Sequence, residues 1–212
     1  MPILSIRKEG GSVSNLESTS ALHGFATPGR YGKRDGEAGV TASERKNLGL
    51  ATVVARKGQA AALKTAIEGS NGADLPDGSR SAVGKGVRFI GIGPGQWFAV
   101  SESLANEALA DELATKLQGI ASVADHSSGR AVMRIEGPAA RDVLAKGLMI
   151  DLDPRVFVDG AAATSTLSHM GVLLWRDGNA YDVALFRSVG GSFWGWLRDS
   201  GAAFGLEFVT TS

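Results

Sequence analysis

The chain has 212 residues, 43% of them hydrophobic and 21% charged, with 22 basic and 22 acidic side chains and no formal net charge. That composition belongs to a globular protein of one large or two small domains, and it offers no long-range attraction to nucleic acid or an anionic membrane. There is no cysteine, which excludes disulfides, thiolate nucleophiles and cysteine-ligated zinc, and a reducing, cytoplasmic setting fits.

Residues 1–47 are rich in Gly, Ser and charge and read as a loop or tail, either a disordered arm or one that orders on a partner. The apolar run after Met1 is too short for a signal-peptide core, and no run reaches the length of a membrane span. Residues 48–56 are short, β-branched and apolar, as a strand requires. In 58–69, Leu63, Ala66 and Ile67 recur at helical spacing. A polar loop over 70–85 leads to strands at 87–93 and 96–101. A helix follows over 103–117, with Leu109, Leu113 and Leu117 on one stripe and Ser103 as the expected N-cap. A strand at 120–128 completes a β-α-β-β-α-β order.

The second half repeats that order. Residues 130–137 alternate as a strand, and 138–147 begin with Pro138 and end with Gly147, the usual asymmetry of a helix. After an irregular stretch, strands at 164–176 and 180–188 flank the turn Asp177-Gly178-Asn179. A helix over 191–205 carries Phe193, Trp196 and Leu197 on its core face, and residues 206–211 end the chain as a strand. The expected fold is therefore α+β: two ferredoxin-like units, residues 48–128 and 129–212, either in tandem or interleaved into one sheet system, preceded by an arm over 1–47.

The chemistry-bearing patterns are few. Gly91, Gly93 and Gly95 lie between two strands, without a following helix or a Walker lysine, so Pro94-Gly95 reads as a hairpin turn and not a phosphate cradle. Asp125, His126 and Ser127 use the vocabulary of a catalytic triad, but strand neighbours face opposite ways and cannot form a relay. The three histidines, His23, His126 and His169, fall in separate elements. Asp151 and Asp153 precede Pro154 and read as turn-forming residues. Trp194 stands roughly 200° around the helix from Trp196, so it is expected to point away from the core, towards a domain or partner contact. Arg130 is expected at the seam between the halves, tying a carboxylate or several carbonyls. With Trp175 and Arg187, these two make up the set of structural or interface candidates; no catalytic, cofactor-binding or metal residue is assigned.

The stretch from Ala124 to Phe157, then Thr166 to Arg176 and Phe186 to Leu197, resembles the gamma subunit of heterotetrameric sarcosine oxidase. That family is similar in turn to the folate-binding glycine-cleavage T-protein, whose pattern is matched by Asp125, Ser127, Arg130, Gly137, Ala140, Leu144 and Asp151. The T-protein pattern carries a pair of acids, one catalytic, on a later strand; here that strand reads Gly171, Val172, Leu173, Leu174. The resemblance implies a T-protein-like fold and a non-catalytic subunit that docks on alpha, beta and delta partners. It also implies that FAD, FMN, NAD, tetrahydrofolate and zinc belong to those partners. The complex would oxidatively demethylate sarcosine to glycine and pass the one-carbon unit to tetrahydrofolate. A stand-alone folate-dependent transferase and a small-ligand regulatory module are the alternatives.

Overall fold

The computed structural model describes residues 19–210; the part of the expected arm before residue 19 lies outside them. Its elements, in chain order, are β1 (Gly29–Tyr31), β2 (Val40–Arg45), β3 (Gly49–Ala55), α1 (Ala60–Asn71), β4 (Ser81–Gly84), β5 (Val87–Gly93), β6 (Gln96–Ser101), α2 (Ala108–Lys116) and β7 (Ala121–Asp125). They continue with β8 (Arg130–Glu136), α3 (Ala140–Ala145), β9 (Ala162–Leu167), β10 (Met170–Asp177), β11 (Ala180–Phe186), α4 (Gly190–Gly201) and β12 (Leu206–Thr210). The strands form a seven-stranded sheet, β1-β12-β2-β8-β11-β10-β9, and a five-stranded sheet, β4-β5-β6-β3-β7.

Period-two alternation along each strand sorts the core into three layers. Val53, Phe89, Trp97 and Ala99 of the smaller sheet pack under Leu63 and Ile67 of α1 and Leu109 and Leu113 of α2. Met133, Ile135, Val172 and Val183 of the larger sheet pack under Val143 and Leu144 of α3 and Phe193 and Leu197 of α4. The remaining faces meet each other: Leu50, Ile90, Phe98 and Val100 on one side, Val132, Leu173, Trp175 and Ala184 on the other. The order of layers is thus helices, sheet, sheet, helices, with Trp175 wholly buried in the middle.

The structure corrects the sequence reading at several points. Residues 29–31 and 40–45, expected to be loop or tail, are strands, and β2 lies inside the larger sheet, parallel to β12 and antiparallel to β8. Its sequence offers only Val40 and Ala42 as apolar residues, and neighbours on both sides supply the pairing that makes it a strand. Ser81–Gly84, read as loop, is β4. The single strand expected over 164–176 is a hairpin, folded at Ser168 and His169, which take φ values of 44° and 75°. Two successive left-handed residues are what a tight hairpin turn needs, but the pair lacks the glycine that usually signals it. Ser103 does not cap α2, which begins at Ala108; its hydroxyl is 3.2 Å from that of Ser101. Pro94-Gly95, by contrast, does join β5 to β6, with Gly95 at φ 68°.

Trp194 is the correction with the largest consequence for assembly. The buried stripe of α4 is Gly190, Phe193, Trp194, Leu197 and Gly201, with Trp196 at its margin. The two glycines mark close approach: a Cβ on Gly190 would lie 2.6 Å from the Ala21 carbonyl oxygen. Trp194 therefore faces the extension of the sheet made by β1 and β12. Its ring meets Tyr31 edge-on, with centroids 5.1 Å apart, and lies 5.0 Å from Phe208. Only 3% of it is exposed, so it is a core residue and not an outward contact. Trp194→Ala is expected to destabilise the isolated chain by about 3–5 kcal/mol through the cavity it leaves, measured by denaturant unfolding; an unchanged midpoint would contradict this packing.

Candidate functional site: the seam between the two sheets

The seam is apolar in its middle and polar at its ends. Along β8, Arg130, Val132 and Arg134 share the seam face, so the strand carries Val132 into the apolar centre and one arginine towards each end.

At the Arg134 end, charges from both sheets interlock. Asp177, the last residue of β10, accepts from Arg88 Nη2 of β5 at 2.7 Å and from Arg134 Nη2 at 2.9 Å. Asp182 of β11 is fully buried, accepts from Arg45 Nη1 at 3.0 Å, and lies 3.6 Å from Arg134 Nη1. Arg45 also pairs with Glu102, beyond β6. The Arg88–Asp177 and Arg45–Glu102 pairs thus cross from one sheet to the other. Burial opposes the ionisation of Asp177, yet the hydrogen bonds and charges of Arg134 and Arg88 together hold its carboxyl below the ordinary value. For Asp182 burial wins, and its carboxyl is raised in spite of Arg45 and Arg134. Among the described residues its Oδ1 has no hydrogen-bond partner. Asp177 is the single acid on β10, and both its oxygens are held by arginines.

At the other end lies a groove of about 260 Å³, lined by Thr52, Ile92, Phe98, Arg130, Gly171 and Phe186 among others. The Arg130 guanidinium carbon sits 3.9 Å above the centre of the half-exposed Phe186 ring. Contrary to expectation it ties no carboxylate or carbonyl: among the described residues no hydrogen bond or ion pair is made by its side chain, and its Nε is buried without a partner. The nearby acid is otherwise engaged, since Asp125 Oδ1 accepts from the Ser127 hydroxyl at 2.6 Å and the Ser127 amide at 3.2 Å. His126 turns the other way, its Nε2 3.2 Å from the Thr52 hydroxyl, so the Asp125-His126-Ser127 run is a polar turn and not a relay.

The other residues singled out by sequence fall apart in space. Trp175 is wholly buried in the seam, its indole Nε1 without a partner among the described residues. Arg187 donates to the Thr19 carbonyl and holds the start of the described chain against the end of β11. Asp151 accepts from the Asp153 amide at 2.8 Å, and Asp153 accepts from Arg155, as turn residues do. Sequence reasoning missed the arginine–carboxylate cluster altogether. Its one legible sign was Asp182, an acid inside the apolar run of β11.

The architecture as a whole, two sheets face to face with helices outside, is the fold of a glycine cleavage aminomethyltransferase. The glycine cleavage aminomethyltransferase T from Bartonella henselae superimposes with a TM-score of 0.61 over 81% of this chain and 48% of that one, at 16% identity, a likeness of fold alone. A closer likeness fixes the family. The model of the sarcosine oxidase gamma subunit family matches residues 57–203, and the chain belongs to that family. The sarcosine oxidase subunit gamma of Corynebacterium sp. strain U-96 is 36% identical over 68% of this chain and 69% of its own length. The heterotetrameric sarcosine oxidase of the same strain, solved in complex with pyrrole 2-carboxylate, contains a chain that superimposes with a TM-score of 0.70. That match has 33% identity and covers 80% of this chain and 87% of that one.

His126 provides a test of the groove's electrostatics. Burial chiefly, and the charge of Arg130 in addition, hold its imidazole below the ordinary value of 6.5, with Asp125 opposing. A base whose folded value is depressed contributes stability above its unfolded value, and loses it as pH falls below 6.5. The chain should therefore lose stability on acidification from neutral pH towards 5, and His126→Gln should flatten that part of the curve. Superimposable curves for the two proteins would contradict the assignment.

Proposed function

We propose that this chain is a non-catalytic subunit of a heterotetrameric sarcosine oxidase, the cytoplasmic complex that oxidatively demethylates sarcosine to glycine and delivers the one-carbon unit to tetrahydrofolate. Alpha, beta and delta subunits are its partners in this reading, and FAD, FMN, NAD, tetrahydrofolate and zinc reside with them. The observation that carries the proposal is the filled centre of the seam. Leu173 and Trp175 of β10 face Ile90, Phe98 and Val100 there, and no acid stands on Gly171–Leu174. Proton transfer at a substrate amine needs a group that titrates; Leu and Trp supply none, and Asp177 is held between two arginines. The one stretch shared with nucleotide-binding loops, Gly91 to Gly95, is a hairpin turn whose next element is a strand. Among the described residues no helix is long and apolar enough to cross a membrane.

In this role the chain contributes area and shape. Its three core layers make one packed block, and the exposed apolar side chains Met149 and Val156 are available for contact. The test is co-expression of the alpha, beta and delta subunits with and without this chain. Omission should leave a complex that fails to purify at full stoichiometry, and the isolated chain should show no flavin absorption. Full assembly and turnover without it, or a yellow isolated chain, would overturn the proposal.

A further inference from the structure

The Arg130 groove has the make-up of a ligand site. A guanidinium brought partly out of water at the edge of an apolar seam is costly unless an anion or a set of acceptors meets it. All the other seam arginines have such partners: Arg45 has Asp182 and Glu102, Arg88 has Asp177, and Arg134 has Asp177 with Asp182 nearby. Among the described residues Arg130 alone has none, and burial lowers its guanidinium from the ordinary value. One face of the guanidinium is taken by Phe186, which leaves its N–H edge as the part able to grip a ligand. Of its nitrogens only Nε is both buried and unpartnered, so the terminal pair remains open to an incoming acceptor. Around it the groove is mostly apolar, with Ile92, Phe98, Leu173 and Phe186 as walls and the hydroxyls of Thr52 and Thr164 as its polar points. Its floor is open at Gly171, where a Cβ would meet nothing within 4 Å.

We propose that this groove binds a small carboxylate with an aromatic or compact apolar body, the carboxylate on the terminal nitrogens of Arg130 and the body against Phe98, Ile92 and Phe186. A planar carboxylate matches the guanidinium fork, and a flat body fits between aromatic walls at one end of two packed sheets. The volume of about 260 Å³ admits a ligand of that size and not a dinucleotide. This site is separate from the Arg134 cluster, whose arginines are paired with Asp177, Asp182 and Glu102.

Benzoate is the probe, with neutral benzamide as its isostere, titrated by calorimetry into the full chain and into the assembled oxidase. Benzoate should bind at one site per chain and benzamide should not. Arg130→Met, which keeps the stem over Phe186, should weaken benzoate by about tenfold to a hundredfold, the range for a charge-assisted pair of hydrogen bonds. Gly171→Leu leaves Arg130 in place and fills the floor, and it should abolish binding without lowering the melting temperature. In the assembled oxidase, the share of binding removed by Gly171→Leu reports this groove. Equal binding of benzamide, or benzoate binding unchanged by Gly171→Leu, would overturn the proposal. So would a groove that binds benzoate in the free chain and none in the oxidase, since a partner side chain would then be its occupant.

Discussion

Everything in this fold depends on two sheets closing against each other. A sheet with helices on one face still exposes its other face, and neither half could leave Ile90, Phe98, Leu173 and Trp175 in water. Their mutual burial excludes solvent from the centre of the seam, at roughly 25 cal/mol per Å² of apolar surface covered. The polar groups are consequently driven to the two ends. At one end, arginines and carboxylates from both sheets neutralise each other, which limits the desolvation penalty and fixes the relative register of the sheets. At the other, a single arginine is left with an aromatic ring for company.

The same constraint governs what the chain can do. A catalytic group at the centre of the seam would need room and a titratable side chain, and the space is occupied by Leu173 and Trp175. A fold shared with an aminomethyltransferase is thus compatible with a purely structural role, because function resides in particular side chains and not in the layer arrangement. The proposed place as a structural subunit of a multi-subunit oxidase would give such a block a use.

Much of the fold was legible because periodicity reports burial directly. β3, β5, β6 and β8 alternate or run apolar between clear turn signals, and the two helices of the first half show apolar stripes, Leu63 with Ile67 and Leu109 with Leu113. What escaped was whatever depends on a distant neighbour. β2 has too little apolar character to announce itself, and becomes a strand because β12 and β8 flank it. The stripe of α4 was read with Trp196 in place of Trp194, because Gly190 and Gly201, which complete it, carry no hydrophobic signal. Of the site, Arg130 was singled out and does lie at the seam, but its partner is Phe186 and not an acid. The Arg45, Arg88, Arg134, Asp177 and Asp182 cluster joins residues from five strands, which no local pattern reveals.

The central claim is that the apolar seam makes the two halves one cooperative body. Native-state hydrogen exchange tests it most directly, through the amides of β3 and β6 in the smaller sheet and of β8 and β11 in the larger. If the seam binds the halves together, the slowest amides of both sheets will exchange with a common free energy, equal to that of global unfolding. The substitution Trp175→Ala will lower both together. Two separate free energies, with only the larger sheet responding to Trp175→Ala, would show that the halves fold independently and that the seam is a contact between finished domains.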